Sequence, residues 1–167
     1  MSMKRYQHYI FDWGDTLMAD LPLETGPMYA WSRIEVVPGA KTLLAELSGS
    51  AACSLATNAA DSSESEIRKA LIRADLNPYL TNIFCFQNTG AKKPSKAFFN
   101  AVHSALNPEK SDKSDILMIG DNLEQDVLGA LNFGFDAVWY NPGRKQVPEN
   151  IPWVHHLSQI LDWHTAA

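Results

Sequence analysis

The 167 residues, 46% hydrophobic and 20% charged, describe a globular chain with one core rather than a disordered or fibrous one. A net charge of −5 disfavours a nucleic-acid grip built on phosphate neutralisation. No apolar run approaches the roughly 20 residues of a membrane helix, and the opening MSMKRYQHYIFDW is too short and too polar for a secretory leader, so the expected location is the cytoplasm.

Residues 8–13 read as a short buried strand, with Tyr9, Ile10 and Phe11 in a row. Residues 18–38 carry Pro22, Gly26, Pro27 and Pro38 and are expected to be irregular, with a helical turn around 28–34. Pro38 and Gly39 open a helix, AKTLLAELS. Its Leu43, Leu44 and Leu47 form one apolar stripe, and Gly49 stops it. Residues 51–57 form a second strand, AACSLAT. Asp61 or Ser62 caps the helix ESEIRKALIRADL, which buries Ile67, Leu71 and Ala74.

Residues 82–86, NIFCF, are a third strand, and a helix from Ser95 to about Ala105 buries Phe98, Phe99 and Val102. Residues 115–120, DILMIG, are a fourth strand, 122–132 a helix and 135–140 a fifth strand. A tail with Pro142, Pro148 and Pro152 leads to a last helix at 158–163. Cys53 and Cys85 both fall inside strands. Without a CxxC pair they read as reduced, buried small hydrophobes.

Strands alternating with helices predict an α/β fold. The expected form is a Rossmann-like three-layer α/β/α sandwich around a parallel sheet of about five strands, with right-handed crossovers. Residues 1–167 are expected to make a single core domain.

In an open parallel sheet, ligands bind at the carboxyl ends of the strands. After the first strand stand Asp12 and Asp15, and after the second Thr57 and Asn58. Lys92 and Lys93 follow the third, before Pro94. Asp121, Asn122 and, one helical turn on, Asp126 follow the fourth. Carboxylates converging from two adjacent strand ends hold a hard cation, Mg²⁺ first among them, with waters and phosphate oxygens completing its shell. A carboxylate can also attack phosphorus, and a lysine and a hydroxyl nearby stabilise the phosphoryl oxygens as charge shifts.

Each feature alone also fits a plainer use. Asp12 and Asp15 suit a turn, Asn58 a helix cap, Lys92 and Lys93 a solvated loop, and Asp126 the first turns of a helix. The ordered set, each member at a strand end, is what points to a site.

The set resembles the haloacid dehalogenase superfamily of hydrolases, in its phosphatase branch. The matching stretches are Asp12-Trp-Gly-Asp15-Thr16-Leu17, SLATN with Thr57 and Asn58, AKKPSKAFF with Lys93, and IGDNLEQD with Asp121 and Asp126. The resemblance covers nearly the whole chain. It implies a Mg²⁺-dependent phosphoric monoester hydrolase acting on a small-molecule phosphomonoester. Asp12 would be the nucleophile. Asp12, the Gly14 carbonyl, Asp121 and Asp126 would hold the metal. Thr57, Asn58 and Lys93 would hold the phosphoryl group.

Two departures stand out. Phosphatases of this type carry a second Asp two residues after the nucleophile, as general acid and base. Here that position is Gly14. Asp15, the spare carboxylate and the stand-in for that role, comes one residue later, where its side chain points elsewhere unless the backbone turns unusually. Dehalogenase members also lack that Asp, so a metal-independent 2-haloacid dehalogenase is one alternative. A catalytically quiet member that binds a phosphorylated ligand or a protein is another. The second departure is the cap. Residues 18–38 are all that separates the first strand from the next helix, too little for a cap domain. Capless members act on bulky substrates or borrow a lid in a homo-oligomer. Trp13, Met28, Tyr29, Trp31 and Trp153 would supply an apolar rim or oligomer surface, or would simply pack the core.

Overall fold

A computed structural model describes residues 4–106, 109 and 111–166. The first three residues of the opening MSMKRYQHYIFDW lie outside the described residues. Six parallel strands form one sheet in the order β3-β2-β1-β4-β5-β6. They are β1 (His8–Phe11), β2 (Ala52–Ala56), β3 (Asn82–Phe84), β4 (Ile116–Gly120), β5 (Asp136–Tyr140) and β6 (Trp153–Val154). The helices are α1 (Ala40–Ser48), α2 (Glu64–Arg73), α3 (Phe86–Thr89), α4 (Lys96–Ala105), α5 (Gly129–Phe133) and α6 (Ser158–Ala166).

The strands are apolar on both faces because helices cover both. Within β1, Tyr9 and Phe11 point to a cluster with Leu43, Leu47, Ile67, Leu71 and Ile160, which come from α1, α2 and α6. Ile10 points the other way, to Phe98, Phe99, Val102 and Ala130 from α4 and α5. The period-two alternation of a strand therefore builds the three layers. Cys53 and Cys85 are free and buried, and burial pushes the Cys53 thiol up to about 12.

Several expectations need correction. The sheet has six strands rather than five. The tail's Pro152 and Val154 carbonyls accept from Trp139 N and Asn141 N, and so add β6. The cap of α2 is Ser63, neither Asp61 nor Ser62. Its hydroxyl accepts from Glu66 N, and the Glu66 carboxylate accepts from Ser63 N in return. β3 stops at Phe84, so Cys85 lies past it and leads into α3, a short helix absent from the sequence reading. The element expected at 122–132 is a π-helical turn, Leu123–Leu128, running into α5.

Residues 18–38 form an ordered loop with one helical turn, Met28–Ala30. The loop closes where Met18 pairs with Val36 and Val37 N donates to Leu17 O. Arg73 of α2 donates to the Tyr29 and Trp31 carbonyls. Trp13, Met28 and Trp31 are buried in the core, Tyr29 is half-buried, and Trp153 is 38% exposed, so most of the predicted rim is packing. No helix among the described residues is long and apolar enough to cross a membrane.

Candidate active site

The strand order turns between β1 and β4. β2 and β3 extend to one side of β1, and β4, β5 and β6 to the other. A crevice opens at such a switch point, at the carboxyl ends of the strands. Asp12 follows β1 and Asp121 follows β4, the two strands that flank the crevice. Asp12, Asp121 and Asp126 offer oxygens that all lie within 4.8 Å of one another.

Lys93 binds two of these carboxylates. Its Nζ is 2.8 Å from Asp12 Oδ1 and 2.6 Å from Asp126 Oδ1, and it donates to Ala56 O at 2.8 Å. The residue is 4% exposed and follows no strand directly. Asn58 brings it there. Asn58 Oδ1 accepts from Lys93 N at 2.8 Å, and Asn58 Nδ2 donates to Lys93 O at 2.9 Å and to Gln125 Oε1 at 3.2 Å. The Asn58 side chain thus braces the lysine. Thr57 is buried at the cavity wall, and its Oγ1 accepts from Ala59 N. Lys92 lies apart, over the Phe86 ring.

Asp126 comes from the wide turn after β4. Its Oδ2 accepts from Asn122 N at 3.1 Å and its Oδ1 pairs with Lys93, so both oxygens are engaged. It packs directly on Gly120, where any Cβ would collide with its carboxylate. Thr16 joins the two strand ends. Its hydroxyl donates to Asp121 Oδ1 at 3.1 Å and lies 3.4 Å from Asp12 Oδ2, while Asp121 N donates to Thr16 Oγ1.

The charges are uneven. Burial pushes Asp12 up, but the Lys93 ammonium and hydrogen bonds from Asp121 and Lys93 outweigh it and hold Asp12 below the usual carboxylate range. Burial, the hydrogen bond to Asp12 and the Asp12 charge push Asp121 up to about 8. Burial pushes Asp126 up to about 6 against the pull of Lys93. Burial lowers Lys93, but the two carboxylates more than offset it and raise it. Asp12 and Asp121 therefore oppose each other's charge, which a proton or a cation among their oxygens would relieve. This donor set fits a hard divalent ion.

Asp15 makes the unusual backbone turn, and its Oδ1 accepts from Asp20 N. Its φ is 59°, in the left-handed region, and it lines the same cavity as Asp12. That cavity, of about 500 Å³, is also lined by Gly14, Asp20, Glu24, Thr57, Asn58 and Asp61, among others. Thr16, Gln125, Asp20 and Asp61 were not singled out from sequence as site residues. The DTL that follows the first turn was a signal for Thr16.

The fold and site define an open parallel α/β protein with a lysine-braced carboxylate cluster at its switch point. Comparison with known proteins narrows this. A HAD-hydrolase-like family profile matches residues 90–162. The pyrimidine 5′-nucleotidase YjjG of Escherichia coli strain K12 is 35% identical over 135 residues, covering 77% of this chain and 57% of that protein. The solved structure of YfnB from Bacillus subtilis, bound to magnesium, superposes with a TM-score of 0.77 at 22% identity, covering 95% of this chain and 98% of that one. A 2-haloacid dehalogenase from Pseudomonas syringae superposes with a TM-score of 0.65 at 27% identity, covering 78% of this chain and 54% of that one. The chain belongs to the haloacid dehalogenase (HAD) superfamily. Its match spans little more than half the length of YjjG, 57%.

Proposed function

We propose that this protein is a Mg²⁺-dependent phosphohydrolase that cleaves small phosphomonoesters through an aspartyl-phosphate on Asp12, from a bare core in which residues 18–38 stand where a cap would be. The observation that carries the reading is the pair of opposed carboxylates. Lys93 Nζ, 2.8 Å from Asp12 Oδ1, favours the charged form of Asp12, and Asp121 and Asp126 bring oxygens within 4.8 Å of it, as a bound cation needs. The YjjG likeness supports the same reaction class.

Asp12, the Gly14 carbonyl and Asp121 would hold the metal directly. Asp126, with both oxygens engaged, would act through water. The bound ion would neutralise the phosphoryl oxygens and orient them. An Asp12 carboxylate oxygen forms the bond to phosphorus as the bond to the leaving oxygen breaks. Lys93 balances charge on the transferring group, and Thr57 orients it from the cavity wall. Asn58 keeps Lys93 in place. Water then attacks phosphorus, the bond to Asp12 breaks, and inorganic phosphate leaves.

The test is hydrolysis of p-nitrophenyl phosphate with Mg²⁺. Wild type turns it over, EDTA stops it, and Asp12→Asn removes it. Activity unaffected by that substitution would falsify the mechanism. Gly14 favours one second reading, the metal-independent dehalogenase, and the Pseudomonas syringae likeness is consistent with it. Halide release from a 2-haloacid in EDTA would establish that reading. Mg²⁺ and phosphate binding without turnover would identify a quiet binding member.

A further inference from the structure

We infer that Asp20 is the proton-transfer residue of this site, and that Asp15 positions it. The inference rests on the phosphohydrolase reading. An alkyl leaving group needs a proton as it departs, and the water that follows needs a base. Gly14 supplies no side chain for either task. A Cβ built on Gly14 meets nothing within 4 Å except Asp20 Cβ, at 3.9 Å. The Asp20 side chain thus starts beside the space that a side chain at position 14 would enter.

The chain returns there because the turn after β1 is tight. Leu17 N and Met18 N donate to Trp13 O, and Asp15 N donates to Met18 O at 2.7 Å. Asp15 Oδ1 then accepts from Asp20 N at 2.9 Å, which ties the two residues together.

The other carboxylates in and beside the cavity each accept at least one hydrogen bond. Asp121 and Asp126 belong to the charged cluster. Glu24 accepts from the Ser32 hydroxyl and from the Ser32 and Arg33 amides, and these bonds, the hydroxyl's first, hold it below the usual carboxylate range. Asp61 Oδ1 accepts from Ser62 Oγ at 3.4 Å. Asp15 is engaged at the Asp20 amide. Among the described residues no hydrogen bond reaches the Asp20 carboxylate, which is exposed on the cavity wall.

The step balances. As the Asp12 oxygen bonds to phosphorus, the bond to the leaving oxygen breaks, and its electron pair takes the proton from the Asp20 carboxyl. The Asp20 carboxylate then accepts a proton from the attacking water. The bond between phosphorus and Asp12 breaks, and phosphate and the original protonation state are restored.

The test compares p-nitrophenyl phosphate, whose leaving group departs without a proton, with benzyl phosphate, whose alkoxide does not. Asp20→Asn should lower kcat/KM on benzyl phosphate by on the order of 10²- to 10⁴-fold, and on p-nitrophenyl phosphate by at least about tenfold less. Asp15→Ala should lower the benzyl-to-nitrophenyl ratio. Asp15→Asn should recover most of it, because its side-chain oxygen still accepts from Asp20 N. Equal losses on both substrates in Asp20→Asn, or none, overturn the inference and leave the phosphohydrolase reading standing. Equally poor Asp15→Ala and Asp15→Asn variants beside a harmless Asp20→Asn assign the proton to Asp15 and also overturn it. A wild type that turns over neither substrate removes both readings, while the effect of Asp12→Asn on p-nitrophenyl phosphate tests the parent reading alone. Unchanged circular dichroism and melting establish that each variant folds.

Discussion

The turns after β1 and β4 face each other across the switch point. Both carry aspartates of the site, yet one is open and the other closed. Behind Gly14 the space is free apart from Asp20 Cβ at 3.9 Å. Behind Gly120 there is none, because the Asp126 carboxylate fills it. On the closed side a buried carboxylate packs on backbone and pairs with Lys93, so charge is placed rigidly. On the open side the backbone leaves room, and the proton-handling group is supplied by a loop. The cluster that holds charge is built into the core. The group that moves protons sits where the surface can vary.

The largest effect should come from removing the charge that ties the two sides together. Lys93→Met leaves two carboxylates beside an empty donor position and should cost about 3–5 kcal/mol of stability in EDTA, measured by urea unfolding. The cost should shrink at low pH, where the carboxylates take protons instead. A cost that does not change with pH would mean that the lysine holds packing rather than charge.

Next comes the contrast of the glycines. Gly120→Ala should cost about 1–3 kcal/mol through overpacking against Asp126, whereas Gly14→Ala should stay within about 0.5 kcal/mol. Equal midpoint shifts in urea would break the comparison.

A smaller effect is the pH dependence of the metal-free protein. Asp121 is raised to about 8 in the fold, against about 3.9 unfolded. Between these values the folded state binds more protons, so this group's contribution is complete below about pH 4 and is lost as pH rises towards 8. Asp12 is lowered in the fold, so its contribution is present above its unfolded pKa and is lost as pH falls through its folded one. Asp121→Asn should flatten the slope between pH 4 and 8, and Mg²⁺ should do the same in wild type. A wild-type stability that rises with pH over that range in EDTA would contradict the raised Asp121.

Much of the fold was legible because parallel strands buried on both faces write themselves as apolar runs. β4, Ile116–Gly120, is the plainest case. β6 was not legible, since two residues just after Pro152 carry no periodicity and pair only because Trp139 and Asn141 reach them. The π-helical turn was hidden too, because Asn122 to Asn132 has an ordinary helical composition. In the site, Asp12, Lys93, Asp121 and Asp126 were found because each follows a strand or sits in a motif. Asn58 lines the cavity, as its place after β2 predicts. Its amide also brackets the Lys93 backbone, a pairing across 35 positions that no local pattern encodes. Asp20 was missed because it follows no strand, and the tight turn after β1, closed by the Trp13 and Met18 carbonyls and the Asp15 side chain, brings it back.

The central claim is a covalent phosphoryl group on Asp12. It is tested most directly by mixing the Mg²⁺-loaded protein with p-nitrophenyl phosphate, quenching in acid within a turnover, and mapping the mass of one phosphoryl group by peptide mass spectrometry. The account predicts the adduct on Asp12 in wild type and its absence in Asp12→Asn. Turnover without an adduct on Asp12, or an adduct on another residue, would contradict it.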